Sequence, residues 1–185
     1  MTDAAYRSVP VLTAIHRRRV TRAMTSEPLD RHLLETVLDA ARWAPTAGNR
    51  HLQRYVVSDH PGTLRALRMV SPGMVVQRPA AVITVCVNRP LAAAYGFPAR
   101  ATGPYVDVGT ATATILLAAQ AVGVGAGPVT SFSHAAVSVV LRLLDGWTPE
   151  LLVCLGRPAP AQPQPVRRRN RLSWRDLTTW VPGPS

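Results

Sequence analysis

Apolar residues recur along this chain with two different periods, and their alternation predicts a mixture of helices and strands. In the segment opened by Pro28 and Asp30, Leu33, Leu34, Val37, Leu38 and Ala41 share one face of a helix. It stops at Ala44-Pro45, because proline disfavours the helical region in the residue before it. Residues 10–18 form a shorter predicted helix ending in a basic cluster, and residues 61–69 another. Residues 53–58, 80–87 and 151–156 read as strands, the second of them buried. Residues 107–122 are apolar on nearly every face, which marks a central core helix, ended by Gly123, Gly125 and Gly127. Residues 133–144 are a last helix, capped by Ser133 and closed by Asp145-Gly146. Residues 88–103 carry prolines and glycines without a clear period and read as loop.

Composition narrows this picture. A chain of 185 residues with 47% hydrophobic content can close one core, here expected as a single domain over residues 1–158. The proline-rich stretch 157–165 cannot pack as helix or central strand and, at about 3.1 Å per residue, reaches roughly 25 Å. Beyond it lie Trp174, Leu177 and Trp180, apolar anchors that a disordered tail has no use for. Residues 159–185 are therefore expected to form an extended arm docked on a second copy of the chain. The longest apolar stretch, residues 106–122, is broken by Asp107 and several threonines. A membrane span needs about 20 predominantly apolar residues, so no membrane association is expected. The start of the sequence lacks the pattern of a secretion signal, and Cys86 and Cys154 sit inside strand-like runs, which points to reduced thiols and a cytoplasmic protein. Two cysteines exclude both a disulfide framework and a paired CxxC metal site.

The net charge is +11, and all 21 basic residues are arginine. Without lysine, Schiff-base chemistry is impossible. The positive field favours an anionic ligand. A nucleic-acid partner is not expected, because the arginines concentrate at two places in the sequence and aromatic stacking platforms are missing.

Four segments carry candidate chemistry. Arg17-Arg18-Arg19-Val20-Thr21-Arg22 holds four guanidiniums within six residues beside a helix end. Charge-assisted guanidinium–phosphate contacts contribute about 1.5–3 kcal/mol each where partly desolvated, so the cluster suits a phosphate monoester. A solvated basic turn accounts for the same residues. Ala44-Pro45-Thr46-Ala47-Gly48-Asn49-Arg50-His51 presents a hydroxyl, an amide and an imidazole from a rigid turn. Such groups can read the carbonyl and ring-nitrogen edge of a planar heterocycle; an ordinary helix-to-strand loop is the competing reading. The run from Gly123 through Gly125 and Gly127 to Pro128 lets backbone amides approach a ligand, although glycines end helices equally well. No Walker loop or G-x-G-x-x-G motif accompanies it. Residues 167–171 form a late arginine cluster that reads alone as a basic tail.

In this order, the segments resemble the flavin nitroreductase family across residues 12–177. Arg18, Arg19, Val20, Arg22 and Met24 stand where that family has Arg-Arg-Ser-x-Arg-x-Phe. Ala44, Pro45, Thr46, Asn49 and His51 match its Ala-Pro-Ser-x-x-Asn-x-Gln. An apolar helix runs into Gly-Val-Gly at Gly123–Gly125, and a strand ends in Gly156-Arg157-Pro158 before the arginine-bearing arm. The resemblance implies an α+β fold, a mostly antiparallel central sheet flanked by helices, and an intertwined homodimer with FMN at its interface. It implies that Arg18, Arg19, Arg22 and Arg169 hold the FMN phosphate, with Val20 offering only its backbone amide. Pro45, Thr46 and Asn49 approach the flavin from the second subunit, with His51 in the same binding set. The backbone of Gly125, Gly127 and Pro128 lies beside the reactive ring edge. No catalytic side chain is implied, because the redox chemistry belongs to the flavin. The expected reaction passes electrons from NAD(P)H to a nitroaromatic, quinone or similar acceptor. A second expectation is a flavin-dependent dehydrogenase or oxidase working with a small accessory protein. It rests on the similarity of Ser71-Pro72-Gly73 and residues 128–132 to cyclic dipeptide oxidase catalytic subunits.

The departures are Val20 for the usual serine, His51-Leu52-Gln53 for Gln-Pro-Trp, and a short segment 88–106. The last leaves one flavin face open unless Tyr95, Phe97 and Tyr105 fold over it.

Overall fold

A computed structural model describes residues 10–74, 76–98, 102–160 and 173–181. In chain order the elements are α1 (Pro10–Arg17), β1 (Met24–Thr25), α2 (Arg31–Ala41), β2 (Gln53–Ser58), α3 (Pro61–Met69), β3 (Ala81–Asn88), α4 (Arg89–Ala94), α5 (Gly103–Ala121), β4 (Gly125–Val129), α6 (His134–Leu141) and β5 (Trp147–Pro158). Short 3-10 turns occupy Ala47–Asn49, Pro72–Met74 and Arg175–Leu177. The fold is α+β with a five-stranded sheet in which every pairing is antiparallel.

Strand β5 organises this sheet. Its residues 152–155 pair with β3 along one edge and with β4 along the other, while Arg157 and Pro158 pair with β1. Strand β2 closes the far side of β3. Because side chains alternate along a strand, the two faces bury separate sets. Ala81, Ile83, Val85 and Val87 pack with Val153 and Leu155 against α2 (Leu34, Val37, Ala41) and α5 (Val108, Ile115, Ala119). Val82, Leu152 and Cys154 face Leu64 and Leu67 of α3, Met74 and Val137 of α6. A sheet covered on both faces explains why β3 is apolar without alternation.

Caps agree with the sequence reading. The Asp30 carboxylate accepts from His32 N at 2.9 Å, and the Ser133 hydroxyl accepts from Ala136 N at 3.3 Å. Several boundaries differ for physical reasons. Residues 88–103 are not all loop, because α4 lies within them. The Asn88 side chain caps it by accepting from Leu91 N at 2.9 Å, and Pro90 occupies the first turn, where a missing N–H costs nothing. The glycines after α5 do not simply end it, since Gly125 and Gly127 belong to β4 and pair with Gly156 and Cys154. Strand β5 starts at Trp147, four residues early, with a register shift that opposes Cys86 to Pro149 and leaves Glu150 unpaired. Proline cannot donate to a ladder, so a shift there is the economical arrangement. Helix α6 ends at Leu141, where Arg142 turns left-handed at φ 50°. No described helix is long and apolar enough to cross a membrane.

Candidate functional site

The arginine segment leaves α1 as an extended turn and lies against the glycine strand. Thr21 N donates to Ala126 O at 2.9 Å, fixing the turn to β4. A Cβ on Gly127 would sit 2.5 Å from Thr21 O and 2.8 Å from Gln77 Oε1, and one on Gly125 would lie 2.9 Å from Thr21 Cγ2. The glycines are therefore needed first for the approach of this turn, a reason the ligand-approach argument did not supply. The two segments converge at Thr21, and in the same turn Arg18 Nη1 is buried with no hydrogen-bond partner among the described residues. A buried, unpartnered guanidinium nitrogen is costly unless an anion completes it. Arg19 is committed differently: its Nη1 donates to His16 O at 2.6 Å and Arg18 O at 2.8 Å, closing the end of α1. Arg22 and Val20 are exposed, and Pro128 is half-buried. Arg169 and the remainder of the late cluster at 167–171 lie outside the described residues.

The second segment folds as a tight, strained loop. Gly48, Asn49 and His51 all take positive φ (59°, 55° and 51°). For the two non-glycine residues such a conformation costs roughly 1–2 kcal/mol each, so other contacts must impose it. Helix α5 supplies two of them: Asp107 Oδ1 accepts from Ala47 N at 3.0 Å, and Thr110 Oγ1 donates to Pro45 O at 3.0 Å. Within the loop, Thr46 Oγ1 accepts from His51 N at 3.3 Å. The outcome is a rigid platform presenting Pro45, Asn49 and His51 to solvent.

The two segments do not meet within one protomer. The loop is anchored at Asp107 near the start of α5, whereas the arginine turn is anchored just beyond Ala121 at its end. At 1.5 Å rise per residue the intervening helix separates them by about 20 Å.

Tyr95, Phe97 and Tyr105, the candidates for covering a ring, are engaged elsewhere. Arg50 stacks on Tyr95 at 4.1 Å, Phe97 packs on Gly103, and Tyr105 lies beneath Arg89 at 4.7 Å. Arg89 also donates to the buried Glu150 carboxylate at 2.5 Å and to Tyr105 Oη at 2.7 Å, tying α4 and α5 to the unpaired residue of β5. Burial alone would lower the Arg89 pKa, but the Glu150 hydrogen bond and charge outweigh it and raise it. Burial, assisted by Glu150, pushes the Cys86 thiol up to about 12, and burial alone takes Cys154 to about 12. Neither thiol can act as a nucleophile near neutral pH.

Sequence reasoning missed three residues of this arrangement. Gln77 is fully buried, with its Oε1 beside Gly127 and without a donor, and nothing in the local pattern announced it. Thr21 carries the backbone bond between turn and strand. Asp107 had a visible signal, a lone carboxylate interrupting an apolar helix, noted only as an argument against a membrane span.

Comparison with known proteins identifies the family and the fold. The nitroreductase family model matches residues 15–95 and 78–157. A protein of Rhodopseudomonas palustris carrying the provisional name NADH dehydrogenase/NAD(P)H nitroreductase is 30% identical over 162 residues, covering 75% of this chain and 80% of its own. Among solved structures, a provisional nitroreductase of Desulfovibrio desulfuricans in complex with FMN aligns with TM-score 0.75 at 24% identity, over 95% of this chain and 99% of that one. An FMN-dependent nitroreductase of Clostridium difficile aligns with TM-score 0.74 at 15% identity, over 90% and 96% respectively.

Proposed function

Because the chain belongs to the nitroreductase family, we propose that it is an FMN-dependent oxidoreductase working as a homodimer, taking electrons from NADH or NADPH and passing them to a nitroaromatic, quinone or related acceptor. The observation that carries this reading is Arg18 Nη1, buried and without a hydrogen-bond partner among the described residues, in the turn that Thr21 fixes to β4. That nitrogen lacks an acceptor, and the FMN phosphate would supply a charge-assisted one. Arg18 and the exposed Arg22 would hold the phosphate, while Gln77 Oε1, equally buried and without a donor, would accept from the cofactor. When bound, FMN supplies two-electron chemistry, and the protein orients it and excludes competing reactions. A solved relative of the same fold was captured with FMN.

The separation of the two segments along α5 supports a site shared between subunits, each flavin lying between the arginine turn of one protomer and the Pro45–His51 loop of its partner. Apolar residues exposed on one protomer give such a dimer its contact surface: Val11 and Ile15 on α1, Tyr105 and Val106 on α5. Trp174, Leu177 and Trp180 are exposed as well, Trp180 at 80%, which supports an arm reaching a second copy. The test is purification followed by a visible spectrum, identification of the flavin released on denaturation, and anaerobic titration with NADH and NADPH. A yellow protein releasing FMN and bleached by a nicotinamide supports the proposal. A colourless protein whose melting temperature does not respond to FMN well above micromolar concentration overturns it.

A further inference from the structure

On a part of the surface that shares no residue with the segments above, a half-open cavity of about 490 Å³ lies between the start of α2, the helix α3 and the approach to β3. Its size falls in the range of small-molecule sites, roughly 300–1,000 Å³. The floor is apolar, with Leu29, Leu34 and Leu64 beside Pro79, Ala80 and Ala81. Three arginines line it: Arg65 and Arg68 from one side of α3, three residues apart, and Arg78 from the segment entering β3. The single acidic lining residue is Asp59, and among the described residues no ion pair joins it to Arg65 or Arg78. Arg68 has a partner of its own, and the remaining two arginines, Arg65 and Arg78, outnumber the single carboxylate of Asp59, so the lining keeps an excess of positive charge. The first turn of α3 also borders the cavity at Pro61, adding the positive end of a helix dipole.

Guanidiniums over an apolar floor select a ligand with two parts. The charge needs an oxyanion, which Arg offers its planar fork to bind. The floor needs a compact hydrocarbon or aromatic body, since leucine surface gains nothing from a hydrated inorganic ion. We propose that this cavity is a binding site for an amphipathic organic anion, a carboxylate or sulfonate on a small apolar body, distinct from the flavin site. Placed between α2, α3 and β3, such a ligand would bridge elements from both faces of the sheet.

The test uses the full chain as purified, titrated with 8-anilinonaphthalene-1-sulfonate followed by fluorescence, with octanoate, octanol and inorganic phosphate as competitors. The expected result is saturable binding that octanoate displaces at least tenfold more effectively than octanol or phosphate. The double substitution Arg65→Ala/Arg78→Ala should weaken the sulfonate and octanoate at least tenfold while the visible spectrum stays unchanged. Arg65 and Arg78 are exposed, so the fold should tolerate their loss. Ser26→Trp, which puts a bulky ring at an exposed lining residue with all three arginines in place, should abolish binding as well. No saturable binding up to millimolar ligand, octanol competing as well as octanoate, or binding indifferent to these substitutions would each overturn the proposal.

Discussion

Replacing Asp107 by Ala is the sharpest test of how the loop Pro45–His51 is held. Asp107 is 4% exposed, its carboxylate accepts from Ala47 N at 3.0 Å, and its second oxygen is buried without a partner among the described residues. A hydrogen bond to a charged acceptor contributes about 1.5–3 kcal/mol, and its loss leaves Ala47 N without a partner. That amount is comparable with the roughly 2–4 kcal/mol needed to keep Asn49 and His51 left-handed. Without the anchor the loop should relax out of its strained form, and FMN must then reorder it on binding. At 1.4 kcal/mol per decade, the dissociation constant for FMN should rise roughly 10- to 150-fold. Flavin fluorescence quenching measures this, and circular dichroism checks that the protein remains folded. Asp107→Asn, which keeps an acceptor oxygen, should recover most of the affinity. Folded Asp107→Ala protein with FMN affinity within twofold of the original would refute the argument.

Further outcomes follow from the same geometry. Gly127→Ala places a methyl group against Thr21 O and Gln77 Oε1, and overpacking of this kind costs about 1–3 kcal/mol, so thermal denaturation should shift down with or without flavin. A melting temperature equal to that of the unmodified protein would show that the turn yields freely. Cys86 and Cys154, raised to about 12, should resist a thiol reagent at pH 8 in the native protein and react fully once it is unfolded. The sign for stability is also fixed, because thiols that ionise more readily when unfolded cost stability as pH rises. That loss should begin near the ordinary thiol value of 9.0 and continue to about 12, visible as a falling denaturant midpoint across that window.

Much of the fold was legible because local signals and burial agreed. Residues 53–58 and 61–69 form the expected strand and helix at those bounds, where β-branched residues or a proline-led first turn coincide with a buried face. Strand β4 was illegible because Gly125, Gly127 and Pro128 have poor strand propensity, and its pairing with β5 is a tertiary effect. Helix α4 was hidden by Pro90, read as a breaker although a first turn accepts it. Within the candidate site, residue types pointed to chemistry but not to support. Gln77 and Thr21 act by packing on Gly127, contacts across 50 and 106 residues that no spacing rule reveals. The opposite placement of the two candidate segments along α5 likewise emerged only from their anchors, Asp107 near its start and Ala126 just beyond its end.

The central claim is that one flavin is held by two chains, and subunit mixing tests it most directly. An Arg18→Ala/Arg22→Ala chain and a Thr46→Ala/Asn49→Ala chain, carrying different affinity tags, would be co-expressed and the mixed dimer isolated by both tags. If the arginine turn of one protomer completes the loop of the other, the mixed dimer contains one intact site and one doubly damaged site. Its FMN content should return to half that of the unmodified dimer, although each variant alone binds little. If both segments of a site belonged to the same chain, every site in the mixed dimer would carry a lesion. FMN content no higher than in the two parent variants would contradict the shared site.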